Sequence, residues 1–389
     1  MANRAAVAVS ECRVKILLVA GLADSLVNFR GPLIAAFQAK GFVVHAAAPD
    51  YPTRSVAYQN LEAGGLIVHK VPMSRVGTNP FADFRTAWAL WRLIRQIGPG
   101  VVLAYTVKPV VYGLLAAWLA GVPQRFALIT GLGYAYRRAG QRSRLEILVT
   151  VLYRFALARA HRVFFQNPDD LVFFQRLGIL GPQTPSCVVN GSGVDLDLFP
   201  AKPLPASAFA GSVSFLFIGR LLGNKGIREY AEAARLLKHR HPNAQFVLAG
   251  WIDDNPDAIS QTELDCWTED GRIKFLGRLE DVRPALEACS VFVLPSYSEG
   301  TPRAVLEAMA IGRPIVTTDA PGCRETVING DNGFLVPVQD AKALANAMSR
   351  FINEPSLQYI MGARSRKIAE DKYCVLKVNA AILAGIGLK

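Results

Sequence analysis

One pattern runs through the whole chain. Short, nearly unbroken apolar runs alternate with longer stretches in which apolar residues recur at helical spacing. In the first half the runs are VKILLVAG (14–21), FVVHAAAP (42–49), LIVHKVP (66–72), VVLAYT (101–106), RFALIT (125–130) and HRVFFQN (161–167). Stretches such as RGPLIAAFQAKG and FRTAWALWRLIRQIG lie between them. A strand with one wet face alternates apolar and polar residues, so a strand that does not alternate is covered on both faces. Parallel strands joined by helical crossovers meet that condition. The segment 200–212, PAKPLPASAFAGS, has three prolines and four alanines and reads as a linker. The pattern then restarts with VSFLFIG (213–219), AQFVLAG (244–250), IKFLG (273–277), VFVLPS (291–296), PIVTTD (314–319) and GFLVP (333–337). The expected fold is α/β, with two doubly wound Rossmann-like domains facing a cleft. The first spans 1–200 and the second 201–365. A helical segment over 366–389 is expected to cross back to the first domain.

Neither half carries GxGxxG after its first strand: the first has AGLADS and the second IGRLLGNKG. A nicotinamide dehydrogenase is disfavoured on that ground. Half of the residues are apolar, which excludes a disordered chain. The longest apolar run, Pro109 to Pro123, falls short of the roughly 18 residues of a spanning helix, and the N-terminal residues read as a first strand, not a signal peptide. The expectation is a cytoplasmic protein without a membrane span. Six cysteines show no CxxC and no metal-ligand spacing, which suits reduced thiols. Charge is lopsided. Residues 1–200 carry 21 Lys and Arg against 10 acids, and the remainder carries 22 against 21. A basic half suits an anionic partner; without a zinc-finger or RNP pattern, no nucleic acid is expected.

The segment VFVLPSYSEGTPRAVLEAMAIGRPIV places Glu299 in a loop after a strand and Glu307 on the helix that follows, with Thr301 as N-cap, Pro302 as first helical residue and Gly312 as stop. The helix start between the two acids offers unpaired N–H groups and partial positive charge, a place for an anion such as a diphosphate. Each carboxylate could then accept hydroxyls at one end of a ligand. Taken alone, the spacing equally describes a solvated loop acid and a surface helix acid. GRLLGNKG, at the end of the second domain's first strand, adds Arg220 and Lys225 in a Gly-rich turn, two cations suited to a diphosphate or to ordinary surface charge. TTDAPGCRETVINGDNGFLVP, read as a Gly-rich turn and hairpin-like run, is expected to close around the cleft.

With GRLLGNKG, VLPSYSEGTPRAVLEAMAIGRPIVTTDAPGCRETV and NGDNGFLVP in view, the second half resembles glycosyltransferase family 4, retaining enzymes of the GT-B fold. The resemblance implies that Arg220 and Lys225 bind the donor diphosphate, Glu299 the transferred sugar and Glu307 the ribose. It implies that Gly300, Thr301 and Pro302 meet sugar and phosphate through backbone groups, and that Arg278 and Leu279 border the base. In the first half, NFRGPLIAAFQAKGFVVHAAAP, YTVKPVVYG, TGLGYAY, RVFFQNPDD and NGSGVDLDLF are similar to bacterial enzymes that extend lipid-linked oligosaccharides. That implies a UDP-sugar donor, N-acetylgalactosamine foremost, and a polyprenyl-diphosphate-linked sugar acceptor.

Such an acceptor is anionic and membrane-held. Arg125, Arg137, Arg138, Arg142, Arg144, Arg154, Arg159 and Arg162 face one acid, Glu146, around the apolar LEILVTVLYRFALA. A basic–apolar helix reads as a membrane-surface element, peripheral on the inner face of the cytoplasmic membrane, or as a core helix with arginines towards solvent. Asn28, Arg30, Thr106 and Lys108, near strand ends or helix starts, are acceptor candidates or capping and packing residues. His45, His69 and His161 read as structural, so no histidine base is assigned. Asp169 and Asp170 read as helix-capping, and no metal or other cofactor is expected. A GT-B-like UDP-sugar 2-epimerase shares the donor features but leaves the basic first half unused. A catalytically inactive sugar- or lipid-binding scaffold has no need of Arg220, Lys225, Glu299 and Glu307 together.

Overall fold

The computed structural model describes residues 14–74, 79–133, 136, 144–206 and 212–388. Arg137, Arg138 and Arg142 of the basic segment lie outside the described residues, as does the middle of the 200–212 linker. The chain divides into two compact units. The first comprises Met1–Leu128, Arg138–Val163 and Leu177–Pro185; the second comprises Ile129–Arg137, Phe164–Arg176 and Ser186–Lys389.

The first sheet contains β1 (Lys15–Val19), β2 (Val43–Ala48), β3 (Ile67–Lys70), β4 (Val101–Tyr105), β5 (Gln124–Ile129), β6 (Arg162–Phe165) and β7 (Ser186–Val188), in the order β3-β2-β1-β4-β5-β6-β7. From β3 to β5 the neighbours pair in parallel. All six strands expected of the first half are present. The short β7 is an addition: three residues with no fully buried side chain leave little pattern to read. The connecting helices are α1 (Asp24–Asn28), α2 (Gly31–Ala39), α3 (Val56–Ala63), α4 (Pro80–Ile97), α5 (Leu114–Leu119, continuing a π-turn over Pro109–Gly113), α6 (Arg144–Leu157) and α7 (Pro168–Arg176).

The second sheet holds β8 (Ser214–Arg220), β9 (Gln245–Trp251), β10 (Lys274–Phe275), β11 (Val291–Leu294), β12 (Ile315–Thr318) and β13 (Gly333–Val336), in the order β10-β9-β8-β11-β12-β13, every pair parallel. β11 and β12 are buried at every residue, as the unbroken apolar runs require. Helices α8 (Ile227–Lys238), α9 (Gln261–Glu269), α10 (Arg283–Ala288), α11 (Arg303–Ile311), α12 (Ala341–Asn353), α13 (Ser356–Ile368) and α14 (Val375–Ile386) accompany it.

In both sheets the strand order reverses beside the first strand, at β1/β4 and at β8/β11. Ligands of doubly wound sheets bind beyond the carboxyl ends of the strands at that reversal. Arg220 ends β8, Lys225 follows it, and Glu299 to Thr301 follow β11. Asn28 and Arg30 follow β1, and Thr106 and Lys108 follow β4.

Two local expectations need correction. The run 317–337 is not a hairpin. A 3-10 turn at Arg324–Thr326 carries the chain to β13, which pairs with β12 in parallel. The N-cap of α11 is Pro302, one residue later than expected, with no side-chain cap. Gly312 does end the helix in the left-handed conformation, at φ 91°.

Candidate active site

The site in the second unit is assembled by close backbone approaches that only glycine permits. After β8 the chain makes a 3-10 turn, Gly223–Lys225, and Gly226 follows at φ 71°. A Cβ on Gly226 would lie 2.1 Å from the carbonyl oxygen of Pro295, at the end of β11. The turn is therefore seated directly on the β11 loop, and the amide of Tyr297 donates to Asn224 O at 2.9 Å. This contact brings Lys225 to Glu299. The Lys225 ammonium donates to Glu299 Oε1, and both side chains are largely buried.

The other side of the Glu299 loop is held as closely. Gly322 has φ 78°, and a Cβ there would stand 2.2 Å from the carbonyl oxygen of Glu299. The Glu299 amide donates to Pro321 O at 2.9 Å. A Cβ on Gly300 would lie 2.4 Å from Thr130 O and 2.6 Å from Gln166 Oε1. Thr301 Oγ1 donates to Gln166 O at 3.0 Å, so the hydroxyl expected to cap α11 is used elsewhere. The first amides of α11 thus have no side-chain acceptor. The helix start keeps the positive partial charge that suits an anion.

Arg220 is also paired: its Nη1 donates to Asp253 Oδ2 at 2.8 Å. Glu307 is buried on α11 and accepts from Arg303 Nε at 2.6 Å, one turn away. Burial pushes its carboxyl above the ordinary range, and the Arg303 guanidinium opposes that rise. Glu307 is therefore neither a surface acid nor an unpaired one. Arg278 is exposed beside half-buried Leu279, its guanidinium 4.8 Å from the centre of the Trp251 ring. Those two contribute a flat cationic–aromatic surface of the kind that can border a planar base.

Asn167 holds the Glu299 loop in place, a role that sequence reasoning missed. It is fully buried, and its Nδ2 donates to Gly300 O at 2.9 Å, Glu299 O at 3.2 Å and Asp170 Oδ2 at 3.0 Å. Its Oδ1 accepts the Asp170 amide at 2.7 Å, so Asn167, and not Asp169 or Asp170, caps α7. The sequence signal was Asn before Pro168 at a helix start; its reach to residue 300 left no local trace. Asp170 is 1% exposed, and its carboxyl is pushed up to about 7, chiefly by burial, with Asp169 and Glu325 adding to the rise and Asn167 opposing it. Asp169 instead meets Arg324 at 2.7 Å.

The first unit carries the acceptor candidates at its own strand reversal. Thr106, directly after β4, has φ 70°, a left-handed conformation that costs a β-branched residue strain and recurs at ligand sites. A Cβ on Gly21 would meet its Oγ1 at 2.8 Å, so the ends of β1 and β4 touch here. Lys108 donates to Asp83 on α4 at 2.8 Å. Arg30 is buried, its guanidinium 5.2 Å from the centre of the Tyr105 ring. Asn28 is exposed at the end of α1. His45 and His69 stack and share a hydrogen bond of 2.9 Å, and His161 Nδ1 accepts the Arg125 amide at 3.2 Å.

Comparison with known proteins yields a consistent set. Residues 29–190 match a family described as glycosyl transferase 4-like domain, and residues 212–354 match glycosyl transferases group 1. The chain is 31% identical to the N,N'-diacetylbacillosaminyl-diphospho-undecaprenol alpha-1,3-N-acetylgalactosaminyltransferase of Campylobacter jejuni, over 86% of this chain and 88% of that one. It is 28% identical to the UDP-Gal:alpha-D-GlcNAc-diphosphoundecaprenol alpha-1,3-galactosyltransferase of Escherichia coli, over 76% and 78%. Among solved structures, Anabaena HepE in complex with UDP and glucose superposes with a TM-score of 0.75 at 18% identity, covering 96% of this chain and 100% of that one. Sucrose-phosphate synthase from Thermosynechococcus elongatus gives 0.76 at 20% identity, over 95% and 97%. These two likenesses establish the fold.

Proposed function

The chain belongs to the family 4 glycosyltransferases, and from that premise we propose that it transfers a hexose or N-acetylhexosamine, N-acetylgalactosamine foremost, from a UDP-sugar to a sugar carried on undecaprenyl diphosphate. The observation that carries the reading is the Lys225–Glu299 pair beside the uncapped start of α11, at the β8/β11 reversal. The named sugars and lipid carriers of the two relatives above support the donor and acceptor classes. No relative named above is an epimerase, which favours transfer over 2-epimerisation.

In this reading the incoming diphosphate takes the Lys225 ammonium, and Arg220 and the first α11 amides share its charge. Glu299, released from Lys225, accepts hydroxyls of the transferred sugar. Glu307, held by Arg303, accepts the ribose hydroxyls, Gly300, Thr301 and Pro302 offer backbone groups, and Arg278 with Leu279 borders the base. Asn28, Thr106 and Lys108 line the acceptor wall. Transfer proceeds with retention: the acceptor hydroxyl oxygen bonds to the anomeric carbon as the bond to the diphosphate breaks. The bonding pair leaves with UDP, and a diphosphate oxygen takes the acceptor proton. The protein's part is positioning and charge stabilisation, which needs neither a histidine base nor a metal. The protein works peripherally on the inner face of the cytoplasmic membrane. Among the described residues no helix is long and apolar enough to cross a membrane.

The test incubates UDP-N-acetylhexosamines with a short-chain polyprenyl-diphosphate-linked glycan and identifies the product by mass spectrometry and NMR. Glu299→Ala should cut turnover by about 10²-fold or more while UDP still binds in calorimetry. A new UDP-sugar formed without acceptor, or no heat with any UDP-hexose, would overturn the reading.

A further inference from the structure

Helix α4 is two-faced in an unusual sense. Thr86, Leu90, Ile94 and Ile97 are buried and lie along one side. At 100° per residue, Phe81, Phe84, Arg85, Trp88, Arg92 and Arg95 all fall within about 40–60° of the opposite direction, and all six are exposed. Phe81 is 87% exposed, Phe84 72% and Trp88 51%. Single exposed apolar residues are ordinary, but three aromatics in line are not. An aromatic stripe with arginines beside it is the composition of a helix lying in a membrane interface: rings sit at headgroup depth and guanidinium groups meet lipid phosphates.

The stripe has neighbours of the same kind. The segment 109–119 packs between α4 and α6 in the first unit. At its end Leu119 is 64% exposed, and on α6 Leu148, Val151 and Phe155 are each about half exposed. From Pro80 to Arg162 the chain has twelve Lys and Arg and two acids. Such an excess selects an anionic surface, and the apolar side chains between the cations select a bilayer over a soluble polyanion.

We infer that α4, flanked by 109–119 and α6, docks the protein on an anionic bilayer, with Phe81, Phe84 and Trp88 entering the interface beside the acceptor wall. The place follows from one ion pair. Asp83, on the same turn as Phe81 and Phe84, holds Lys108, and both side chains are largely buried. The aromatic turn is thereby fixed to the end of β4, where Thr106 and Lys108 stand. A lipid-linked acceptor would meet the docked edge without leaving the membrane; this last step rests on the acceptor class proposed above.

The experiment measures co-sedimentation of the full chain with phosphatidylglycerol–phosphatidylethanolamine vesicles and with phosphatidylcholine vesicles. Three proteins are compared: wild type, Phe81→Ser/Phe84→Ser/Trp88→Ser, and Arg85→Gln/Arg92→Gln/Arg95→Gln. Wild type should bind the anionic vesicles, less so in high salt, and phosphatidylcholine poorly. The aromatic variant should lose binding about tenfold or more, and the arginine variant should lose its salt dependence. Turnover with a water-soluble short-chain acceptor should be unchanged in both, while KM for a long-chain acceptor in vesicles rises and kcat holds. Vesicle binding by the aromatic variant equal to wild type would overturn the inference. So would a wild type that dimerises through this stripe, made monomeric by the aromatic substitutions, with no vesicle binding. Absence of turnover with every acceptor, alongside the expected vesicle binding, would count against the proposed reaction and leave the docking intact.

Discussion

Replacing Asp170 by Asn should stabilise the protein at alkaline pH and leave it unchanged in acid. Asp170 is buried with Oδ1 unpartnered, while Oδ2 accepts from Asn167. Its carboxyl ionises at about 7 in the folded protein, against 3.8 for an ordinary aspartate. Between those values the folded state holds a proton that the unfolded state has released. Stability therefore falls as pH rises from about 4 to about 7, and levels off above. At about 1.4 kcal/mol per pH unit, the loss over some three pH units is about 4 kcal/mol. An asparagine of the same shape keeps an oxygen for the Asn167 donor and carries no charge to desolvate. Urea unfolding of wild type and Asp170→Asn at pH 4.5, 5.5, 6.5, 7.5 and 8.5 should give stabilities that diverge up to about pH 7 and then stay apart, the variant ahead by about 4 kcal/mol. Turnover should persist, because Asn167 still holds the carbonyls of Glu299 and Gly300. A variant destabilised by the same amount at every pH would refute the argument. It would mean that the carboxylate is satisfied in the fold and that burial does not govern its ionisation.

Two further substitutions test the packing behind the site. Gly300→Ala must push the Glu299 loop away from Thr130 O and Gln166 Oε1, 2.4 and 2.6 Å from the new Cβ. A displacement approaching 1 Å at a positioning loop should lower kcat by about 10²-fold, measured with saturating donor and acceptor. Arg313, fully buried, donates to the carbonyls of Leu286, Lys202, Pro203 and Glu287 at 2.9–3.1 Å. Arg313→Leu strands four acceptors and should cost about 3–5 kcal/mol in chemical denaturation.

The architecture was legible because its causes are local. Short apolar runs bounded by turn residues and separated by helical stretches favour strands of a covered parallel sheet, and twelve such runs yielded twelve of the thirteen strands among the described residues. Gly312 marked its helix end because a left-handed residue is cheap only for glycine. Candidate donor residues were legible as types at particular strand ends, and strand ends are where a parallel sheet exposes its ligand edge. Which side chain meets which was decided by the tertiary structure. Lys225 reaches Glu299 because Gly226 lets a turn sit on Pro295, 69 residues along the chain. Thr301 does not cap α11 because the helix begins one residue later and its side chain is turned to donate to Gln166 O, and Glu307 is buried where spacing alone allowed a surface acid. Asn167 acquires its role from two carbonyls more than 130 residues away. Hydrophobic period is a property of neighbours along the chain, whereas burial, ion pairing and the ionisation of Asp170 depend on groups that meet only when the sheets and loops have packed.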